Sequence, residues 1–454
     1  MPDRRPEECA ANAPITGATR WGPINREHAE EVVKWAAVLL GCSIPVSTAA
    51  DNVLFAFILL CWIAGGGYRA KWAAVRRNPV ALAALALFAL HLIGTLYTIG
   101  AVRDVVEALV KSLRLLLIPA LILLLREARW RERGLAAFLG SMIVTLVLSY
   151  LLWLGVLPAS AWLPGSQVDP VAFKGHITHN VLMAFAAFLF AQAALIAKTR
   201  RGRLALAALC VAAAANVLLM VPGRTGVVVL LVLFTYFLYR QLRATGVMLA
   251  LVALSALAAT VLVSPDTMLH KRIALAEDEY QQWRSGERPQ STSSVGLRLE
   301  FLRHTLEVIH DHPVLGVGTG GFAKAYADRA GEGEALTRNP HNEFLLFTVQ
   351  FGIAGFALLA GIFGTQWWAA ARLSSRFEQG AARALVLTMV VASALSSTLI
   401  DHTEGVFFAY MSGLLFASYG DKSAWRRVDR GTRRRRGTPP IQYVTGESPA
   451  PKSP

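Results

Sequence analysis

Charged residues and cysteines are both scarce in this sequence, and each shortage argues against a class of protein. Only 17% of the 454 residues are charged, whereas a soluble protein carries roughly 25%. The four cysteines show no metal-ligand spacing and no pattern typical of a disulfide framework. The composition therefore disfavours a soluble domain, a disulfide-stapled fold and a cysteine-ligated metal site.

Two common sequence signals are also missing. The first 28 residues have none of the basic, apolar and small-residue regions of a cleaved signal peptide, so we expect the first apolar helix to stay in the mature protein. The run from Gly316 to Gly321 contains G-x-G-x-x-G, but no predicted strand precedes it and no Gly-Lys-Ser/Thr element follows. We reject a nucleotide site there and predict a tight turn with closely packed backbone.

Long apolar runs dominate the rest of the chain. Hydrophobic residues make up 54% of it, and a helix needs about 20 mostly apolar residues to cross a bilayer. Twelve runs come close to that length, at 30–46, 50–66, 79–98, 104–125, 134–157, 178–197, 204–221, 225–240, 246–263, 342–370, 381–400 and 402–419. The sequence predicts an all-α polytopic membrane protein with about twelve transmembrane helices.

Basic residues distinguish the two sides of the membrane. Loops with several Lys or Arg alternate with loops that have few, and this asymmetry places both termini in the cytoplasm. We expect a cytoplasmic N-terminal segment, nine transmembrane helices, a large periplasmic loop, three more transmembrane helices and a basic disordered cytoplasmic tail, at residues 1–28, 29–263, 264–341, 342–420 and 421–454. The net charge of +15 then reflects membrane orientation and attraction to anionic lipid, not nucleic-acid binding.

The large loop contains one strong helical pattern. An amphipathic helix is predicted over 297–310, because four apolar residues recur at helical spacing: Leu299, Leu302, Leu306 and Ile309. We expect this apolar face to lie on the membrane domain or in the membrane interface. The polar stretch 284–294 is predicted to be flexible.

His341 is the first candidate for chemistry. It belongs to Asn339-Pro340-His341-Asn342-Glu343, directly before an apolar run. With Asn339 as N-cap and Pro340 at the first helical position, His341 would lie in the first turn of a spanning helix, where the helix dipole disfavours imidazolium. A neutral imidazole suits a general base. A structural histidine at the membrane interface fits the local pattern equally well.

Three arginines are candidates for binding phosphate. Arg224 lies in a tight turn on the outer side, either as a phosphate ligand near a helix start or as a side chain reaching lipid head groups. Arg298 has no acidic residue at helical spacing, whereas Arg303 has Glu300 and Glu307. Because an intrahelical ion pair accounts for Arg303, we rank Arg298 above it.

Other polar clusters carry weaker indications. The outer start of the sixth predicted span either lines the same cavity or is simply a polar helix start, and its polar residues are Lys174, His176, His179 and Asn180. Of these, Lys174 and His179 are secondary site candidates, as is Asn342. The acidic runs 277–279 and 332–334 are interpreted as solvated charge, so no metal is expected. The loop before the last predicted span has three ionisable residues without an assigned role, Asp401, His402 and Glu404.

The segment from Ser294 to Gly352 resembles the signature region of the O-antigen ligase and polymerase superfamily. The matching residues are Gly296-Leu297-Arg298, the run from His312 to Phe322, the run from Pro340 to Leu345, and Gly352. The turn Gly223-Arg224-Thr225-Gly226 is similar to that family's second arginine motif. About twelve spans with one large periplasmic loop late in the chain are also typical of this superfamily.

The resemblance implies a GT-C-type glycosyltransferase in the inner membrane of a Gram-negative bacterium. Such enzymes take a glycan from undecaprenyl pyrophosphate on the periplasmic face, and the ligase branch moves O-antigen to lipid A–core. On this basis we expect His341 to be the general base and Arg224 and Arg298, with Arg303 behind them, to bind pyrophosphate. The expected reaction is inverting and needs no metal, nucleotide or other cofactor.

Several alternatives stay open. Polymerases and protein O-oligosaccharyltransferases belong to the same superfamily, and only the lack of an extra C-terminal domain favours the ligase over the latter. A transporter would bind near mid-membrane with buried ionisable groups, whereas the candidates here cluster at the predicted outer surface. A non-catalytic lipid–glycan binding factor would keep the arginines and have no need of His341.

Overall fold

The computed structural model describes residues 23–263, 277–278, 281, 294–331 and 335–420. Within these ranges the chain forms helices and no strands. The helices are α1 Pro23–Ser43, α2 Thr48–Ala64, α3 Tyr68–Val75, α4 Pro79–Gly94, α5 Val102–Ser112, α6 Leu117–Leu124, α7 Ala128–Trp153, α8 His176–Ile196, α9 Arg200–Ala215, α10 Arg224–Leu242, α11 Ala244–Val263, α12 Ser294–Asp311, α13 Phe322–Ala327, α14 Glu343–Ala370, α15 Arg376–Leu395 and α16 His402–Phe416.

Several sequence predictions concern residues outside this description. They are the polar N-terminal segment up to residue 22, most of the stretch 284–294, the tail after residue 420, and the greater part of the two acidic runs.

Five of the described helices are long and apolar enough to cross a membrane, and the count rises to six if the pair α2 and α3, bent by 114°, forms one broken span. The five are α7, α8, α9 with its π-helical end, α10 and α14. A helix occupies each of the twelve predicted intervals, although the fourth interval is broken into α5, a 3₁₀ turn at Leu113–Leu116 and α6. The chain is therefore a helical protein with several membrane-type helices, while the number of twelve spans stays a prediction.

Helices α8 and α16 lie at the centre of the bundle. Nearly all residues of α16 are buried, and so is most of α8. A helix that is apolar on every side lies in a protein core or in a membrane, and here neighbouring helices cover most of both. Phe185 of α8 packs edge-on against Phe407 of α16, with ring centroids 5.2 Å apart. The N-terminal ends of these two helices carry polar side chains, and the candidate site is built beside them.

Helix α12 forms where the leucine spacing predicts it, but two of the four predicted apolar residues do not pack against the described chain, so burial of this face in the membrane interface stays a prediction. Leu302 and Leu306 are 37% and 49% exposed. The buried face is the neighbouring stripe of Phe301, His304, Thr305 and Val308. Phe301 and His304 both pack edge-on against Tyr326, at centroid distances of 5.8 and 5.4 Å. These ring contacts, together with local hydrogen bonds of the His304 and Thr305 side chains, favour burial of the mixed stripe.

The glycine-rich run from Gly316 to Gly321 is a tight turn with closely packed backbone, as predicted. It lies where α14 breaks at Gly352, whose φ of 60° interrupts the helix. The break leaves the carbonyls of Val349 and Gln350 without helical donors, and they accept from Val317 N at 2.9 Å and Gly318 N at 2.8 Å. The turn thus satisfies the broken helix and joins the loop rigidly to α14.

Gly352 provides a direct test of this junction. Alanine there is expected to lower the free energy of unfolding by at least roughly 1–3 kcal/mol, because its Cβ would collide with the Val314 carbonyl at a positive φ. Gly361 on the same helix is the matched control, since a Cβ at that position meets no atom within 4 Å. Gly361→Ala should leave the unfolding temperature in detergent unchanged or raise it, because alanine is the better helix former. Equal effects of the two changes on the unfolding temperature would show that the close packing at Gly352 does not stabilise the protein.

Candidate functional site

His341 lies just before α14, not in its first turn as the sequence predicts. Asn342 is the N-cap, since its side chain accepts from Leu345 N at 3.0 Å and the helix begins at Glu343. Asn339 instead accepts from His341 N at 2.8 Å and forms a turn that gives His341 a φ of 55°. A left-handed conformation is uncommon for a histidine and is often found at functional sites. The half-buried imidazole stacks on Phe301 of α12, with ring centroids 6.1 Å apart.

The connection between α15 and α16, residues 396–401, runs beside the segment that carries His341. Asn342 Nδ2 donates to the carbonyl of Ala394 at 2.9 Å, and Ser397 Oγ donates to Asn339 Oδ1. Leu399 N donates to Glu343 Oε2 at 2.9 Å. These bonds place Asp401, at the end of the connection, in the electrostatic environment of His341.

Three effects determine the charge state of His341: desolvation, the charge of Arg298 and the charge of Asp401. Desolvation by the surrounding side chains lowers the pKa of the imidazole, and the Arg298 guanidinium lowers this pKa further. The Asp401 carboxylate acts in the opposite direction, and the net pKa stays below the ordinary value of 6.5. The imidazole is therefore neutral at neutral pH and can accept a proton. The predicted direction of the pKa shift is confirmed, although burial and Arg298 account for it here.

Arg298 and Arg303 differ as the sequence suggests. Arg298 is exposed on α12 and, among the described residues, its side chain has no hydrogen bond or ion pair. Arg303 pairs with Glu307 at 3.7 Å. It also lines an open depression of about 580 Å³ with Leu306, Glu307, His310, Asp311 and Arg329, and neither His341 nor Arg298 lines that depression. The structure thus brings Arg298, not Arg303, to the electrostatic environment of His341.

Arg224 is the first residue of α10 and is exposed. The turn before it packs against the start of α8, where Asn180 Nδ2 donates to Val221 O at 3.2 Å. Gly226 lies so close to Asn180 that a Cβ there would collide with it. Within the described ranges, Arg224 has no hydrogen bond or ion pair through its side chain and no direct contact with His341. Its guanidinium and the free N–H groups at the start of α10 are available to an anion.

The polar residues at the start of α8 do not line one cavity. Lys174 is buried, donates to Thr48 Oγ1 at 2.8 Å and lies 3.6 Å from Asp51 Oδ2. His179 points elsewhere, to Asn216 Oδ1 at 2.8 Å in a buried network. His179 thus lies in a different polar network from Lys174, which is placed near the site residues described next.

The sequence assigns no role to Asp401, His402 and Glu404, which lie at the end of the α15–α16 connection and in the first turn of α16. The structure places them between His341 and the ends of α2 and α8. His402 Nε2 bonds Asn52 Oδ1 at 2.7 Å, and Thr178 Oγ1 donates to Glu404. Arg114, from the 3₁₀ turn before α6, donates to the Asp401 carbonyl at 2.7 Å. The detectable sequence signal was the density of ionisable residues, Asp401, His402 and Glu404, directly before an apolar helix.

A chain from a solved peptidoglycan synthase complex aligns over 76% of this chain and 98% of its own length, with 17% identity and a TM-score of 0.45. That likeness is too weak to carry an argument. No curated protein matches the sequence.

A family model described as O-antigen ligase matches residues 209–360. The matched range includes Arg224, Arg298 and His341, together with the glycine-rich turn and the break at Gly352. This region is therefore similar to the O-antigen ligase family, in line with the resemblance seen in the sequence.

Proposed function

We propose that the protein is an O-antigen ligase. It transfers O-antigen from undecaprenyl pyrophosphate to a sugar hydroxyl of lipid A–core on the periplasmic face of the inner membrane. The observation that carries the proposal is a half-buried, neutral imidazole under the electrostatic influence of an arginine that has no hydrogen-bond or ion-pair partner among the described residues, both within the family-matched region. A base can deprotonate an acceptor hydroxyl, and a guanidinium without a partner among the described residues can bind the pyrophosphate leaving group.

The proposed mechanism is an inverting displacement. The neutral imidazole of His341 removes the proton from the acceptor hydroxyl as the hydroxyl oxygen attacks the anomeric carbon of the donor. The bond between that carbon and the pyrophosphate oxygen breaks, and undecaprenyl pyrophosphate leaves with the electron pair. Arg298 and Arg224 bind the pyrophosphate and stabilise its growing negative charge. The donor is already activated, so the step uses no nucleotide, and the two guanidinium groups supply positive charge where a metal ion would otherwise act.

The proposal includes the membrane arrangement expected from the sequence. The chain has about twelve spans in a GT-C-type architecture, both termini lie in the cytoplasm, and α12 belongs to the large periplasmic loop. The location of His341, Arg298 and Asp401 at helix ends and in connections supports chemistry on a lipid-linked substrate at the membrane surface. A transporter site would instead lie at mid-membrane, among buried ionisable groups of broken helices.

In vitro transfer tests the proposal. Purified protein is mixed with undecaprenyl-pyrophosphate-linked glycan and lipid A–core in detergent, with EDTA and without nucleotide, and the product is resolved by gel mobility and mass. We expect glycan on lipid A–core. A parallel reaction offers only a second lipid-linked repeat as acceptor, and elongation there in place of ligation would identify a polymerase. Donor binding without transfer to either acceptor would contradict an enzymatic function.

A further inference from the structure

The α15–α16 connection carries a carboxylate that acts on His341, and the surrounding chain holds it firmly. On one side Leu399 N is bonded to Glu343, and Ile400 packs against the cluster that contains Phe301. Phe301 is the ring on which His341 stacks. The position of Asp401 relative to His341 is therefore determined by how the connection is held at its other side.

Arg114 holds that other side. Its Nη1 donates to the Asp401 carbonyl at 2.7 Å and lies 3.4 Å from the Ile400 carbonyl. The guanidinium also packs closely on α16, because a Cβ added to Gly405 would come within 2.8 Å of Nη1. A planar guanidinium with donors in a rigid fork orients neighbouring carbonyl groups more strictly than the flexible ammonium of a lysine.

We propose that Arg114 is a positioning residue: by holding the carbonyl groups of Ile400 and Asp401, it sets the Asp401 carboxylate relative to His341. The inference rests on the proposed function, since it takes His341 to be the base. Arg114 reaches the connection from the 3₁₀ turn between α5 and α6, where the fourth predicted span is interrupted. The turn directs a cation to the end of α16, which a continuous helix in that interval would not do in the same way.

Electrostatics give this arrangement a measurable signature. His341 faces Arg298 from α12 and Asp401 from the connection, and these charges act on its pKa in opposite directions. Asp401 faces Lys111 of α5, Arg114 and His341, all of which lower its pKa against the effect of desolvation. Loss of Arg114 releases the carboxylate and also favours its protonation. Both effects weaken its hold on the imidazolium, so the pKa of His341 should fall.

The test is a set of pH–rate profiles for purified variants in the transfer assay. Arg114→Gln is expected to lower kcat roughly 10- to 100-fold, since small misplacements of catalytic groups cost about this much. The donor KM should change little, and the acidic limb of the profile should move to lower pH. Asp401→Asn should move the limb the same way, and the double variant should move it no further. Arg114→Lys should recover part of the rate.

Arg131→Gln is the control, because Arg131 is a buried arginine that bonds Glu378 at 2.8 Å on another pair of helices. It should lower thermal stability and leave the acidic limb in place. The proposal is overturned if Arg114→Gln also lowers thermal stability and leaves the acidic limb of the pH–rate profile in place. If Arg114→Gln does not fold, the same measurement is made on Arg114→Lys, and an unmoved acidic limb there overturns the proposal. His341→Ala is run alongside. If it transfers at the wild-type rate, the proposed function fails, whatever Arg114 does.

Discussion

His341→Ala is expected to reduce transfer about 10²- to 10⁴-fold, the range typical of a lost general base, while donor affinity and thermal stability stay close to wild type. The side chain is half-buried and stacks on Phe301, but the described hydrogen bonds of this residue use its backbone. Removal of the ring therefore leaves the turn before α14 intact. Initial rates of glycan transfer and a donor-binding titration measure the two quantities separately.

His310→Ala is the matched control, because His310 lies on α12, the helix that carries Phe301 and Arg298, and is exposed, with Asp311 as its neighbour. It should transfer at the wild-type rate. Near-normal turnover of His341→Ala would show that His341 is structural and that the proposed mechanism is wrong.

The pH dependence of the wild-type enzyme follows from the same group. A base works only when it is unprotonated, so kcat/KM should rise with pH through the pKa of His341 and then level off. Because burial and Arg298 lower this pKa, the rise should lie below the ordinary value of 6.5. Arg298→Gln removes the repelling cation and should move the rise to higher pH, which is opposite to the shift expected for Asp401→Asn.

Arg298→Ala and Arg224→Ala are expected to lose donor affinity and roughly 10²- to 10³-fold in rate, the usual cost of removing a group that stabilises developing negative charge. Lysine at either position keeps the charge and loses the planar fork that binds two phosphate oxygens. Arg→Lys variants should therefore retain part of the donor affinity and lose most of the rate. Donor affinity and transfer rate are measured for each variant in one assay.

Arg303 lies on the same helix as Arg298 and serves as the control. Its exposed pair with Glu307 at 3.7 Å is worth only about 0.3–0.5 kcal/mol, so Arg303→Ala should change the rate by no more than a few-fold. Inactivity of Arg303→Ala together with an active Arg298→Ala would show that Arg303, not Arg298, binds the pyrophosphate. Normal transfer by Arg224→Ala would favour an arginine that reaches lipid head groups, and Lys174 would be the next candidate for the pyrophosphate.

The extent of α12 and the turn at Gly316 were predictable, because helical periodicity and glycine geometry are properties of a few neighbouring residues. The start of α14 was predicted wrongly, although its capping is also local. Asn339 and Asn342 both have N-cap chemistry, and Asn342 is engaged further by the Ala394 carbonyl on another helix. The choice between two adequate caps was made by a contact that no local pattern contains.

The sequence alone identified an apolar helical chain. It also singled out His341, Arg224 and Arg298 as candidate site residues, the last because it has no acidic residue at helical spacing. Tertiary packing decided which stripe of α12 faces the rest of the chain, where Tyr326 contacts Phe301 and His304. It also brought Asp401 and Arg114 to the site from distant parts of the chain. Helix formation depends on residues within a few turns, whereas a site between helix ends depends on long-range packing that no spacing in the sequence records.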